Sequence, residues 1–453
     1  MKLSEYADHD AIGLAQLIQN KEVSAEEVQS TALKAIAQLN SKINAVIETW
    51  QDETISTRGV LRGVPFLVKD LGLTIAGRKN ELGSRIAKGC VATHDSDLMT
   101  RFRSAGLNVL GRTTTPEFAA STTTESIFSG ATRNPWNIQH GSGGSIRVPA
   151  AMGGIFGLKP SRGRIPMGPD VDEVWSGLAV HGVLTRTVRD SALLLDIMSG
   201  SAVGDPFQIE RPASSFLELK KLNPQPLKIA VQTRPLNGKA VHPSIQQALS
   251  KMIQTLTSLG HQVEEISPMI GISWEAFVAM NTKFWASNTA SWIDAISAQT
   301  GRSINHEHLE PATLALYQYG KQMSATDFLG ALYERNIVTR KVGHLFEEFD
   351  CMLSPTLSDL APEIGTYNAS QNQLDGHGWM NWVFEQSPFT ALANIAGIPA
   401  MSVPCGQDAD THLPIGMQFM GKNGQEASLL ALAAQLEMVM PWIHQKPRNW
   451  VAH

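Results

Sequence analysis

Apolar positions recur at helical spacing through the first fifty residues and then give way to short, continuous apolar runs. Asp10 is placed to cap AIGLAQLIQN, and Ser24 with Glu27 forms a capping box that opens EEVQSTALKAIAQLN. Val64 to Val68 reads as a buried-type strand interrupted by Pro65, ending on Lys69 and Asp70. DSDLMTRFRSAG predicts an amphipathic helix capped at Asp95 or Ser96, and LNVLGRTTTPEF a strand that runs into a Thr/Pro loop. Strand-then-helix units recur in GLAVHGVLTRTVRDSALLLDIMSG and around LKIAVQ, QQALSKMIQTLTSLG and HQVEEI. Residues 270 to 345 read as mostly helical; the end holds two apolar strands, in GIPAMSVPCG and LPIGMQFMG, and a final helix, ASLLALAAQLEMV. Such alternation predicts an α/β protein with helices packed on a largely buried sheet.

One stretch stands outside this rhythm. From Gly141, GSGGSIRVPAAMGG crowds three glycines and two serines ahead of an apolar run. Glycine allows positive φ and close approach to the main chain, and serine offers a hydroxyl that becomes a nucleophile once a neighbour takes its proton. Ser145 also stands where a helix could begin, with Pro149 tolerable in the first turn. A helix start presents unpaired N–H groups, which suits an oxyanion. A flexible Gly/Ser linker is the plainer reading, but linkers rarely pass from NPW directly into a buried-looking helix.

Lys69 carries two readings as well. Burial at the end of so apolar a run depresses a lysine's pKa and leaves a neutral amine able to accept a proton. A lysine at a strand end can equally snorkel to the surface. Alternation along the strand turns Asp70 to the opposite face, away from Lys69. Trp274, Trp285 and Trp292 either line an apolar pocket or fill the core.

At 453 residues, with 43% hydrophobic and 17% charged residues, the chain has ample core for one large or two ordinary domains. A net charge of −5 favours neither nucleic acid nor an anionic membrane. Cys90, Cys351 and Cys405 are odd in number and far apart, which predicts a reducing compartment without a disulfide frame or zinc site. With no signal-like start and no long apolar window, the expectation is a cytoplasmic protein.

Other chemistry-bearing patterns fail their spacing tests. GLKPS is not a phosphate-binding loop, and GSGGSIR is not the G-x-S-x-G nucleophile elbow. His306, Glu307 and His308 lack the four-residue histidine spacing of a zinc protease helix. A Ser–His–Asp triad stays open, since its members need not be neighbours in sequence.

Taken in order, GVPFLVKDL, GGSIRVPA, GLKPSRGR, GIPAMSVPCG and LPIGMQFMG resemble the amidase signature family of amidohydrolases. NVLGRTTTPEF and TRNPWN are similar in order and spacing, so the resemblance covers most of the chain. It implies a large mixed β-sheet core covered by helices on both faces. The chain would then be one amidase-type domain over 1–453: a helical arm at about 1–50, a signature core at about 60–205 and a helical and C-terminal part at about 206–453. It implies hydrolysis of a linear or cyclic amide through a serine acyl-enzyme, with no metal and no organic cofactor. By position Lys69 is the base and Ser145 the nucleophile, and Ser142 is the one serine left for the bridging role. Backbone amides of the loop, those of Gly143 and Gly144 among them, would bind the oxyanion. The expected partner is a small-molecule amide, with no nucleic acid and no membrane, and a homodimer is one option for assembly.

The chain departs from the family pattern at this loop. The family carries a Gly-Gly-Ser-Ser-Gly-Gly loop with the bridging serine, then a helix and a strand, before GGSIR. Here NPWNIQH runs straight into GSGGSIRVPA. A deleted and impaired protein, a rebuilt Ser–Lys site, and a natural chain longer than this sequence all account for that. Intact flanking motifs favour the third, because losing a helix and strand from an α/β core should be severely destabilising. Beside the amidase reading stand two alternatives, a catalytically impaired binding protein and an amidotransferase A-type subunit.

Overall fold

The structure, a computed structural model, describes residues 1–51, 55–221, 225–267 and 270–451. In chain order its strands are β1 (Val46–Thr49), β2 (Pro65–Lys69), β3 (Asn108–Thr113), β4 (Glu125–Ser126), β5 (Gly130–Ala131) and β6 (Phe156–Lys159). They continue with β7 (Leu184–Thr185), β8 (Lys228–Val231), β9 (Gln262–Glu265), β10 (Cys351–Pro355), β11 (Ala400–Gln407) and β12 (Pro414–Gly421). A seven-stranded mixed sheet runs β7-β6-β11-β12-β10-β8-β9, and a separate three-stranded sheet runs β1-β3-β2. β8 lies parallel to both β9 and β10, whereas β10–β12, β11–β12 and β6–β11 pair antiparallel.

The large sheet is buried on both faces, and the pleat shows how. Ile229, Val231, Leu353, Met401, Val403, Met417 and Phe419 point into one core; their neighbours Ala230, Met352, Ala400 and Met420 point into another. Successive side chains of a strand alternate faces, so two cores mean two covered faces. Helices Val188–Met198, Pro243–Ser258 and Glu426–Val439 supply the first core, and helices Trp274–Thr300, Ala325–Glu348 and Gly376–Gln386 the second. This is the mixed, doubly covered sheet that the sequence resemblance implies.

Local signals hold in most places. Asp10 accepts from the Gly13 amide, and Ser24 and Glu27 close their capping box ahead of the helix Ala25–Ile43. Ser96, not Asp95, caps the helix Asp97–Ala105, which ends on Gly106 at φ 88°. Two expectations shift. The strand read from Val64 to Val68 spans Pro65–Lys69, with the proline at its first residue, where a missing N–H is tolerated. The helix expected to begin at Ser145 runs only Arg147–Gly153, and its N-cap Ile146 offers no side-chain bond. The N-terminal arm is also less purely helical than expected, since β1 pairs antiparallel with β3. Among the described residues no helix is long and apolar enough to cross a membrane.

Candidate active site

Lys69 ends β2, a short edge strand lying parallel to the buried β3, with Lys69 opposite Thr113. Its Nζ donates to the carbonyl of Gly144 at 3.2 Å, tying the strand end to the serine-rich loop. Burial holds the amine down at about 8, because the charged form is disfavoured away from water. The side chain is thus the buried amine of the first reading, not a surface lysine.

Asp70 faces the other way. Its carboxylate accepts from the amides of Glu81 (2.8 Å) and Gly83 (3.2 Å) and from Arg112 Nη1 at 2.6 Å. Arg112 also pairs with Glu48 and Glu81, so Asp70 belongs to a buried ionic cluster behind the strand. Burial raises the Asp70 carboxyl pKa against the opposing pull of these donors and of Arg112.

The loop is pinned from outside. The Ser142 amide donates to Thr132 O at 3.2 Å, and its carbonyl accepts from the Thr124 amide at 2.9 Å. Gly143 lies so close to that chain that a Cβ there would stand 2.4 Å from the Thr124 nitrogen. Gly144 takes φ +95°, a conformation L side chains rarely adopt. Among the described residues the amides of Gly143, Gly144 and Ser145 make no hydrogen bond, and neither serine hydroxyl has a hydrogen-bonding partner. Ser145 is exposed and Ser142 half-buried.

Lys69, Ser142, Gly143, Gly144 and Ser145 all line one cavity of about 410 Å³. Its walls include Phe66, Leu67 and Val68 of β2 on one side and Gly182, Val183 and Leu184 at β7 on the other. Those strands are the open edges of the small and large sheets. The cavity therefore lies where the two sheets face each other without a connecting strand. Lys69 and the serines are brought to one space, but no hydrogen bond joins its amine to either hydroxyl.

Sequence reasoning missed two lining residues. His181, in the GLAVHG segment ahead of β7, is half-buried and its imidazole is pushed down to about 4 by desolvation, so it stays neutral. Trp175 lines this cavity and a second, smaller one, and Ser145 borders both. Trp175 and Ser176 hold φ of 47° and 54°, which composition does not signal. Of the three tryptophans singled out earlier, Trp285 lines the smaller cavity, Trp292 packs against Trp175 with ring centroids 5.0 Å apart, and Trp274 stacks on Phe277.

With this geometry in place, comparison with known proteins decides the family. The Amidase family profile matches residues 24–145 and 140–430. The chain belongs to the Amidase family. The 6-aminohexanoate-cyclic-dimer hydrolase of Paenarthrobacter ureafaciens is 32% identical over 477 positions, covering 97% of this chain and 96% of the relative. Putative amidase AmiC of Mycobacterium tuberculosis is 30% identical over 96% of the chain and 95% of its own length. The solved structure of a 6-aminohexanoate cyclic dimer hydrolase superposes with a TM-score of 0.92 at 30% identity, over 98% of this chain and 99% of that one. A bacterial aryl acylamidase of the amidase signature family shares the fold, with a TM-score of 0.84 at 24% identity. Neither relative is named as an amidotransferase subunit or a non-catalytic protein, so the amidase reading stands over both alternatives.

The amidase match also marks the departure. Its two stretches meet at residues 140–145, inside the serine loop. The first alignment spans 477 positions, of which 97% of this 453-residue chain fills about 439, so roughly 38 positions of it face no residue here.

Proposed function

We propose that this amidase cleaves a carboxylic amide C–N bond through an acyl-enzyme on Ser145, with Lys69 as the proton acceptor. The observation that carries the reading is the buried Lys69 amine, held at about 8 and bonded at 3.2 Å to the loop residue before Ser145. The Ser145 hydroxyl gives its proton towards the Lys69 amine as Oγ attacks the carbonyl carbon. The free amides of Gly143 and Gly144 bind the oxyanion that forms. As the intermediate collapses the C–N bond breaks, and the acquired proton passes to the leaving amine or ammonia. Water then attacks the ester, with the same amine taking its proton, and releases the acid and Ser145. Ser142, on the same cavity wall, is the hydroxyl that relays protons between Lys69 and Ser145. Linear and cyclic amides both fit, the cyclic class because a relative at 32% identity is named for a cyclic dimer.

A serine-directed fluorophosphonate probe tests the nucleophile. Labelling should map to Ser145 and vanish in Ser145→Ala, and labelling that persists unchanged in that variant overturns the assignment.

A further inference from the structure

We propose that the smaller cavity behind Ser145 binds a carboxylate carried on one arm of the amide substrate. The proposal rests on Ser145 being the acylated residue and adds the chemical class of what it acylates. The cavity, about 130 Å³, has Ser145 at its mouth and is lined by Arg147, Lys159, Trp175, Trp285, Phe384 and Asn281 among others. That is small beside the roughly 300–1,000 Å³ of a whole ligand pocket, so it takes one arm only.

Its donors lack acceptors. Arg147 is 5% exposed, and its bonds go to Thr390 O, Gln418 Oε1 and Asn394 Oδ1, all uncharged. Those bonds use three of five N–H groups. Lys159 is 3% exposed and donates one bond, to Pro160 O at 2.9 Å; burial and the nearby Arg147 and Arg162 hold its pKa well below the ordinary lysine value. Trp175, at 4% exposed, has an indole N–H with no partner. Elsewhere this protein matches buried guanidinium groups with carboxylates: Arg112 with Glu48, Asp70 and Glu81, and Arg164 with Glu426. Among the described residues no carboxylate pairs with Arg147 or Lys159.

A buried cation without a counter-ion is costly unless something supplies one. Burial lowers Arg147 only to about 9, so it is still a cation at neutral pH. A carboxylate is acceptor-only and can take a guanidinium's paired N–H groups, and Arg147, Lys159 and Trp175 all line the cavity that would hold it. The aromatic walls then pack the carbon chain that joins it to the amide. The larger cavity, which Lys69 lines, is left for the other side of the scissile bond.

Binding of two matched anilides to the full-length Ser145→Ala protein tests this: glutaric acid monoanilide, which carries a carboxylate, and neutral valeric acid anilide. The monoanilide should bind at least tenfold more tightly, and Lys159→Met in the same background should reduce that ratio below threefold. If Lys159→Met fails to fold by circular dichroism, Trp175→Phe, which removes the orphan N–H and shortens the aromatic wall, should lower the ratio instead. Equal binding, tighter binding of the neutral anilide, no binding of either, or a ratio unmoved by a folded variant overturns the carboxylate site. Hydrolysis of both anilides by the unaltered protein is measured separately. Preferential binding without hydrolysis would sink the hydrolase reading and keep the anion site. Hydrolysis without preference would do the reverse.

Discussion

At the scale of single residues the central question is how Lys69 comes to give up its proton near neutral pH. Loss of water is what lowers its pKa, and among the described residues the partner of its Nζ is a carbonyl. Turnover should therefore rise with pH along one limb, with an apparent pKa near 8. Lys69→Met should lower kcat by several orders of magnitude, since general-base help alone is worth about 10²–10⁴-fold. A folded Lys69→Met protein within tenfold of the parent would place the base elsewhere, and the neutral His181 on the same wall is then the group to test. Stability should rise with pH as well, in a higher window. Between about 8 and the ordinary 10.5 the unfolded chain holds a proton that the folded chain has released, so stability rises with pH across that window. The full span amounts to about 3 kcal/mol. Lys69→Met should abolish that slope and be the more stable protein at pH 7 in urea titrations. Asp70→Asn is the control: it injures the Arg112 cluster and costs stability, yet should retain more activity per folded molecule than Lys69→Met.

At the scale of elements, caps and periodicity were legible because they are local. Asp10, Ser24 with Glu27, and the glycine of Gly106 each act within a few residues of the helix they bound. The serine loop was legible in its parts, for only glycine fits against the Thr124 amide. What periodicity does not reveal is which edge each strand keeps. β2 and β7 are terminal strands of different sheets, and the cavity between them follows from pairings made by β3 and β6. Nor could spacing reveal Trp175, brought to Ser145 by a turn with two consecutive left-handed residues. The absent family segment lies at the same place, since the profile match breaks at 140–145 and that loop lines the cavity. Grafting the corresponding segment of the Paenarthrobacter hydrolase between His140 and Gly141 should add packing around the serine loop. Unfolding midpoints should rise, with a gain in unfolding free energy on the order of a few kcal/mol if the graft packs against the loop's flanks. A graft that leaves the midpoint unchanged or lowers it would show that the shortened loop is already the better-packed arrangement.

At the scale of the whole molecule, two cores on opposite faces of one sheet must be held in register with the small sheet that carries Lys69. Buried polar contacts do part of this. Glu117, on the loop after β3, accepts from Ser84 Oγ at 2.6 Å and from the Glu310 amide at 2.8 Å, joining the signature core to the helix Pro311–Gln322. Phe118 and Ala119 follow it with φ of 46° and 53°, and Ala119 reaches both cavities beside Ser145. Burial, with Glu310 nearby, lifts the Glu117 carboxyl to about 8. The sign is set by proton counting. From about 4.5 to about 8 the folded protein keeps a proton that the unfolded chain has lost, so stability present at pH 5 declines as pH rises to 8. Glu117→Gln, which cannot ionise, should remove most of that decline, an effect on the order of a few kcal/mol at pH 8. Urea unfolding of both proteins at pH 5 and pH 8 measures it, and parallel losses in the two would mean that Glu117 is already ionised in the folded protein. Hydrolysis adds the functional reading. Because Ala119 borders the space around Ser145, a charged Glu117 that loosens this junction should blunt the rise in turnover expected from Lys69 above pH 8, and Glu117→Gln should extend it.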